Sequence, residues 1–309
     1  MIRKRDLIME ELIRQIEVKR TAFLQLYKKY RNVNAALMAI FIIAFIPVMI
    51  WVMPIKDYGT YISLGIILVF VVVLFIYGNQ MKKKTSKATI TYIDDYCKLV
   101  DQYVFWGEEV EDYYQFTDEQ IGLTVIQEAQ MIKDLTDVNS RNVVRYRLGE
   151  TTFESADVVA YIHEQVKRRT LKKGVFYGKI LVADNQQKHD ERTLIYLKPK
   201  IELPSYALGP TDLEGLTKKH EDQDFALYST SDKIEKVLTK KALNFLTKFP
   251  INQNLIDLTI SIKKGKTYFA LSLSEAIMVI PYQAPANKEA LEHLKSAIKA
   301  CEEFLEFQK

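Results

Sequence analysis

The chain has 309 residues, 48% apolar and 27% charged, with a net charge of +4 and two cysteines far apart, Cys97 and Cys301. That length holds a real core, and two distant cysteines in a reducing setting argue against a disulfide framework. The charge is uneven: residues 1–31 carry nine bases against four acids, Lys82, Lys83, Lys84 and Lys87 follow, and the remainder from Ala88 is acidic, which argues against nucleic-acid binding.

Residues 1–34 place Met9, Leu12, Ile16, Phe23, Leu26 and Tyr30 at helical spacing. This predicts an amphipathic cytoplasmic helix, read as a stalk because Glu10, Glu11 and Glu17 are mixed among its bases. Residues 35–53 then form a run of nineteen without charge, reaching about 28 Å as a helix, close to a bilayer core of roughly 30 Å. A second run, residues 60–77, follows the turn at residues 54–59. The two predict a transmembrane helical hairpin over residues 35–77, with Pro47 able to kink its first helix. Bases precede and follow the hairpin while the turn holds only Lys56 beside Asp57, so both ends are expected in the cytoplasm. Lys28, Lys29, Arg31, Lys82, Lys83 and Lys84 are the expected contacts with anionic headgroups. The first run is too long for the apolar core of a cleavable signal.

Residues 78–107 continue as a cytoplasmic helical extension, with Ile90, Ile93, Cys97, Val100 and Val104 on one face. Residues 108–285 read as an α+β cytoplasmic domain with a mainly antiparallel sheet. Its expected strands are residues 142–148, a second around Thr152 and Phe153, 175–184, 192–197, 225–229, and a hairpin of 255–262 with 267–273. Residues 156–166 are compatible with strand or helix. Residues 199–221, with Pro204, Gly209, Pro210 and Gly215, read as a long loop open to movement, and residues 232–249 as one helix capped by Ser231 or Asp232. Residues 286–309 form a C-terminal amphipathic helix with Leu291, Leu294, Ile298, Cys301 and Leu305 on its seam; the three cytoplasmic helices are expected to pack together, within one chain or across a dimer.

Reactive motifs are sparse. His163, His189, His220 and His293 are scattered with no zinc spacing. Gly265-Lys266-Thr267 lacks the earlier glycine of a phosphate loop, because Ile260 stands there, and reads as a hairpin turn. The Ser-x-x-Lys strings at Ser261 and Ser296 are cheap in a lysine-rich chain. The candidate cation or ligand site is a set of carboxylates, Asp184, Asp224 and Asp232, beside the acidic cluster at residues 221–224, weighed against a solvated loop that caps its neighbours. No metal or cofactor is expected, and no ionisable residue lies in the spans to mark a transport path.

Several stretches carry a family resemblance: Phe176-x-Gly178-x-Ile180-x-x-Ala183-Asp184; Arg192-Thr193; Glu221-Asp222-x-x-Phe225-x-x-Tyr228-Ser229-x-x-Asp232-x-Ile234-Glu235; and Gly265-Lys266-x-Tyr268-x-Ala270. Together they resemble the bacterial domain-of-unknown-function 3137 family. The resemblance implies an N-terminal helix, two spans and a cytoplasmic domain in the bacterial inner membrane, beside another small membrane protein, and it transfers no catalytic residues.

The expectation is a multi-pass inner-membrane protein acting as a non-enzymatic interaction or scaffold module at the cytoplasmic face. Its partners would be the anionic bilayer surface and a protein or a second copy of the chain. The alternatives are a membrane-tethered hydrolase or cation-dependent enzyme using Asp184, Asp224 and Asp232, and an oligomeric membrane assembly.

Overall fold

A computed structural model describes residues 2–52, 59–105, 110–116, 119–167, 169–184, 191–200, 209–274, 277 and 280–308. The chain forms two compact units. One comprises Arg14–Tyr96 with Tyr282–Ala284, the other Met1–Ile13, Cys97–Pro281 and Pro285–Lys309.

The first unit is a hairpin made of most of two long helices, α1 (Ile2–Val52) and α2 (Gly59–Phe105), whose ends at residues 2–13 and 97–105 belong to the second unit. Pro47 lies inside α1, and the expected turn before Gly59 lies outside the described residues. In the lower part of the hairpin, helical spacing brings apolar and ionic pairs together. Phe23 stacks on Tyr92 at 5.0 Å between ring centres, Tyr282 meets Phe23 edge-on, and Lys19 pairs with Asp95 at 3.0 Å. Beyond Arg31 the character reverses. Met38, Ile40, Ile43, Ile46 and Trp51 on α1, and Leu64, Leu68, Val72, Phe75 and Ile76 on α2, are exposed. By length and composition, one stretch of the described helices, Leu64–Phe105, is able to cross a membrane.

The second unit is an α+β domain around one nine-stranded sheet in the order β1-β2-β3-β4-β9-β8-β5-β7-β6, with every neighbouring pair antiparallel. The strands are β1 (Val110–Phe116), β2 (Leu135–Leu148), β3 (Thr151–Val166), β4 (Arg169–Asp184), β5 (Thr193–Leu197), β6 (Thr217–Glu221), β7 (Phe225–Ser229), β8 (Leu255–Lys263) and β9 (Lys266–Leu273). A short helix α3 (Leu123–Glu128) helps cover one face, where Ile126, Met131, Val143, Val158, Ile180 and Ala270 form a core. On the other face lies α5 (Lys288–Gln308), whose Phe304 meets Phe269 edge-on at 6.0 Å and whose Glu302 accepts a 2.7 Å hydrogen bond from the Tyr146 hydroxyl. Because the central strands are covered on both sides, β8 and β9 are buried almost end to end. The β8–β9 turn fits its sequence: Lys264 and Gly265 both have positive φ, 50° and 76°, as a two-residue type I′ hairpin requires.

Two expectations need correction. Residues 232–249 are not one helix: a 3-10 turn at Ile234–Lys236 precedes α4 (Lys240–Leu246), and the cap is Thr239, whose hydroxyl accepts from the Ala242 N–H at 3.1 Å. Val237 and Leu238 are buried between the two, so packing interrupts the helical path. The loop expected over residues 199–221 ends in β6, and its stretch 209–216 is pinned. Arg192, itself buried, donates to the Asp212, Glu214 and Gln130 carbonyls at 2.6, 3.1 and 2.5 Å, and the Thr211 N–H donates to the Met131 carbonyl. The loop residues 201–208 lie outside the described residues. Residues 156–166, compatible by sequence with strand or helix, are strand, part of the sixteen-residue β3.

Candidate functional site

The three candidate carboxylates do not meet. Asp184 is exposed at the end of β4, opposite Lys266. Asp232 follows β7 four strands away across the sheet, about 19 Å at roughly 4.8 Å per strand. It is fully exposed, with Lys219 at 3.5 Å. Asp224 precedes β7, at the opposite end of that strand. Its neighbours work as a turn: Asp222 Oδ1 accepts from the Asp224 and Phe225 N–H groups at 2.8 and 2.9 Å. Those backbone bonds, with the His220 contact, hold the Asp222 carboxyl down at about 2. Glu221 is likewise held at about 2 by Lys218 and Lys198. The acidic cluster thus caps a strand end. Among the described residues no group of three His, Cys, Asp or Glu side chains is placed to hold a metal ion; His189 lies outside them. Ser261 donates to the Ala129 carbonyl at 2.6 Å and is buried, a structural bond rather than a nucleophile.

The densest polar cluster is one that motif reasoning passes over. Lys179, in the middle of β4, is 2% exposed, with Nζ 2.9 Å from Asp157 Oδ1 and 3.4 Å from Asp101 Oδ1. The pairing follows from register, because Asp157 sits directly across the β3–β4 ladder from Lys179. Asp101 comes from α2, one helical turn beyond Cys97 on the same face. Asn142 completes the site from a bulge in β2, where the register slips between Arg141 and Val144 and φ is +62°. Asparagine tolerates that left-handed geometry, and the bulge turns its side chain inward, where its amide donates to both Asp101 and Asp157. The Gln115 amide of β1 donates to Asp101 at 3.3 Å and to the Asn142 side-chain carbonyl at 3.2 Å. Phe105 lies 5.5 Å beneath the ammonium.

Electrostatics follow from the enclosure. Burial drives the Asp101 carboxyl up to about 6, with Asp157 acting the same way and Lys179 against it. Burial alone would lower Lys179, but the two carboxylates outweigh it and hold the ammonium above its usual range. Such a cluster binds β1, β2, β3, β4 and the end of α2 into one body; its charge is spent on internal partners. The signals for it were present in the sequence: a lysine amid the apolar run of β4, and an acid on a helix seam between Cys97 and Val104.

The expected headgroup contacts Lys28, Lys29, Arg31, Lys82, Lys83 and Lys84 are all exposed, on α1 just before its apolar run and on α2 just after its own.

Fold and site define an α+β protein with one large antiparallel sheet and a long helical hairpin. No family's sequence profile matches the chain, and no curated protein matches it. Among solved structures the chain is similar to the crystal structure of the mycobacterial trehalose monomycolate transport factor A, with 12% identity and a TM-score of 0.32, covering 64% of this chain and 88% of that one. A likeness at that TM-score supports no conclusion about this chain.

Proposed function

We propose that the chain is a membrane-anchored, non-enzymatic interaction module of the bacterial inner membrane. In this reading α1 and α2 cross the bilayer as a hairpin with both ends cytoplasmic, and the sheet domain is a docking body for a protein partner or a second copy of the chain. The observation that carries it is the exposed apolar surface of both helices, from Met38 to Trp51 and from Tyr61 to Ile76, which begins where the exposed bases end. Apolar surface on this scale is unfavourable in water and matches a hydrocarbon slab bounded by anionic headgroups.

The test is alkaline extraction of the full chain from membranes, combined with impermeant maleimide labelling of Asp57→Cys and Ser86→Cys in a Cys97→Ala/Cys301→Ala background. Retention in the pellet, with residue 57 labelled from outside and residue 86 only after permeabilisation, is expected. A chain released by alkali, or the reverse labelling, overturns the reading.

A further inference from the structure

Between the helices, on the stretch where bases give way to apolar residues, lies a groove of about 530 Å³. Its α1 wall is Tyr27, Tyr30, Arg31 and Asn34, and its α2 wall includes Met81 and Lys82. We propose that this groove is a binding site for the phosphate headgroup of an anionic glycerophospholipid, a reading that rests on the bilayer-spanning hairpin proposed above.

Its chemistry is one-sided. Two cations, one from each helix, face the same groove, and no carboxylate is among its described lining residues. A guanidinium presents a planar fork suited to phosphate oxygens, and an ammonium adds a point charge. The Tyr27 and Tyr30 hydroxyls and the Asn34 amide supply neutral donors of the kind a glycerol or phosphate oxygen accepts. The Thr85 and Thr89 hydroxyls of the α2 wall are committed instead to the carbonyls one turn back, both at 2.9 Å. A second groove lower in the same hairpin, of about 430 Å³, is also basic, with Lys19, Lys84 and Lys87 in its lining, but it holds a carboxylate, Asp95, which pairs with Lys19 at 3.0 Å.

Position selects the lipid over a free phosphate. Arg31 and Asn34 precede the exposed apolar run of α1, and Gly78 and Lys82 follow that of α2. A phosphate held there leaves its acyl chains beside the apolar helix surfaces, so charge and hydrocarbon are satisfied by one molecule.

The experiment uses the full chain in phosphatidylcholine vesicles doped with spin-labelled phosphatidylglycerol or spin-labelled phosphatidylcholine, reading the motionally restricted fraction of each. Preference for the anionic label is expected, falling about fivefold for each base removed in Arg31→Gln and Lys82→Gln, while Lys28→Gln and Lys29→Gln, outside the groove, leave most of it. Equal restriction of both labels, or an unchanged preference in the Arg31→Gln/Lys82→Gln variant, overturns the proposal. Displacement of the label by soluble glycerol phosphate also overturns it, since the groove would then be a free-phosphate site. Alkaline extraction of each variant separates the two readings: a chain that stays in the membrane without lipid preference refutes the groove alone, and a chain that leaves it refutes the anchor.

Discussion

Lys179 Nζ stands 2.9 Å from Asp157 Oδ1 across one rung of the β3–β4 ladder, and both face the side of the sheet that receives Asp101 from α2. A buried ion pair adds little net stability over a well-packed apolar substitute, yet removing one partner leaves the other charge stranded. Lys179→Met should therefore destabilise the full chain by about 3–5 kcal/mol in denaturant unfolding. Adding Asp101→Asn and Asp157→Asn to it should recover most of that loss. If the triple variant were no more stable than Lys179→Met alone, the cost would lie in packing and the electrostatic account would fail.

Asp257 gives a separate pH signature. It is buried in β8, with Oδ1 accepting a 2.6 Å hydrogen bond from Ser272, while Oδ2 has no partner among the described residues. Burial pushes its carboxyl up to about 6, the Ser272 bond opposing only in part. An unfolded aspartate titrates near ~3.9. The protonated native form therefore contributes stability that is full below about 3.9 and is lost as pH rises through about 6. Asp101 is shifted the same way. Asp257→Asn should match the parent near pH 4 and exceed it by about 3 kcal/mol at pH 8, as the gap between the folded and unfolded carboxyl implies. A pH series of thermal unfolding on the two chains reads this directly, and parallel curves would refute it.

Gly178 tests the sheet register. A Cβ at that position would stand 1.8 Å from the Leu271 carbonyl oxygen, on the neighbouring strand β9. Backbone cannot yield there without parting the β4–β9 ladder at the Gly178–Ser272 rung. Gly178→Ala should cost about 3 kcal/mol, at the upper end of ordinary overpacking. Gly149→Ala, at a turn with open space around it, should cost only the strain of its positive φ, about 1 kcal/mol.

Periodicity made the framework readable and tertiary geometry hid the rest. The C-terminal seam of Leu291, Leu294, Ile298, Cys301 and Leu305 is buried throughout, as its spacing implies, and the Lys264-Gly265 turn announces its hairpin. β1 and β6 stayed hidden because edge strands with sequences such as VEDYYQF and TKKHE carry little alternating apolar signal. Asp184, Asp224 and Asp232 are carboxylates at strand ends, but four strand positions separate the ends of β4 and β7, and Asp224 stands at the other end of β7 from Asp232. The partners Asp101, Asn142, Asp157 and Lys179 are spread over a helix, a bulge and two strands. Only the β2 register slip and the β3–β4 register bring them together.

The two cysteines should be silent in the folded chain. Burial pushes the Cys97 thiol up to about 12 and the Cys301 thiol well above its usual range, and both side chains are enclosed. Since the thiolate is the reactive form, maleimide should label neither residue in the native protein and both after denaturation. Labelling of Cys97 before unfolding would mean that the end of α2 leaves the sheet.

The last prediction turns on the sign of a substitution. Leu68 and Val72 are exposed and one turn apart on α2. If that surface stood in water, Leu68→Arg and Val72→Arg would be neutral or would raise solubility, because a charged side chain is the ordinary occupant of an exposed helical position. In a bilayer each arginine costs about 2.5–3.5 kcal/mol near the centre of a span. The double variant should therefore move from the alkali-resistant pellet to the extractable fraction, while Ile90→Arg, equally exposed but beyond the apolar run and level with Thr89 and Thr91, should leave membrane retention unchanged. Equal retention of all three chains would refute the bilayer as the partner of this surface.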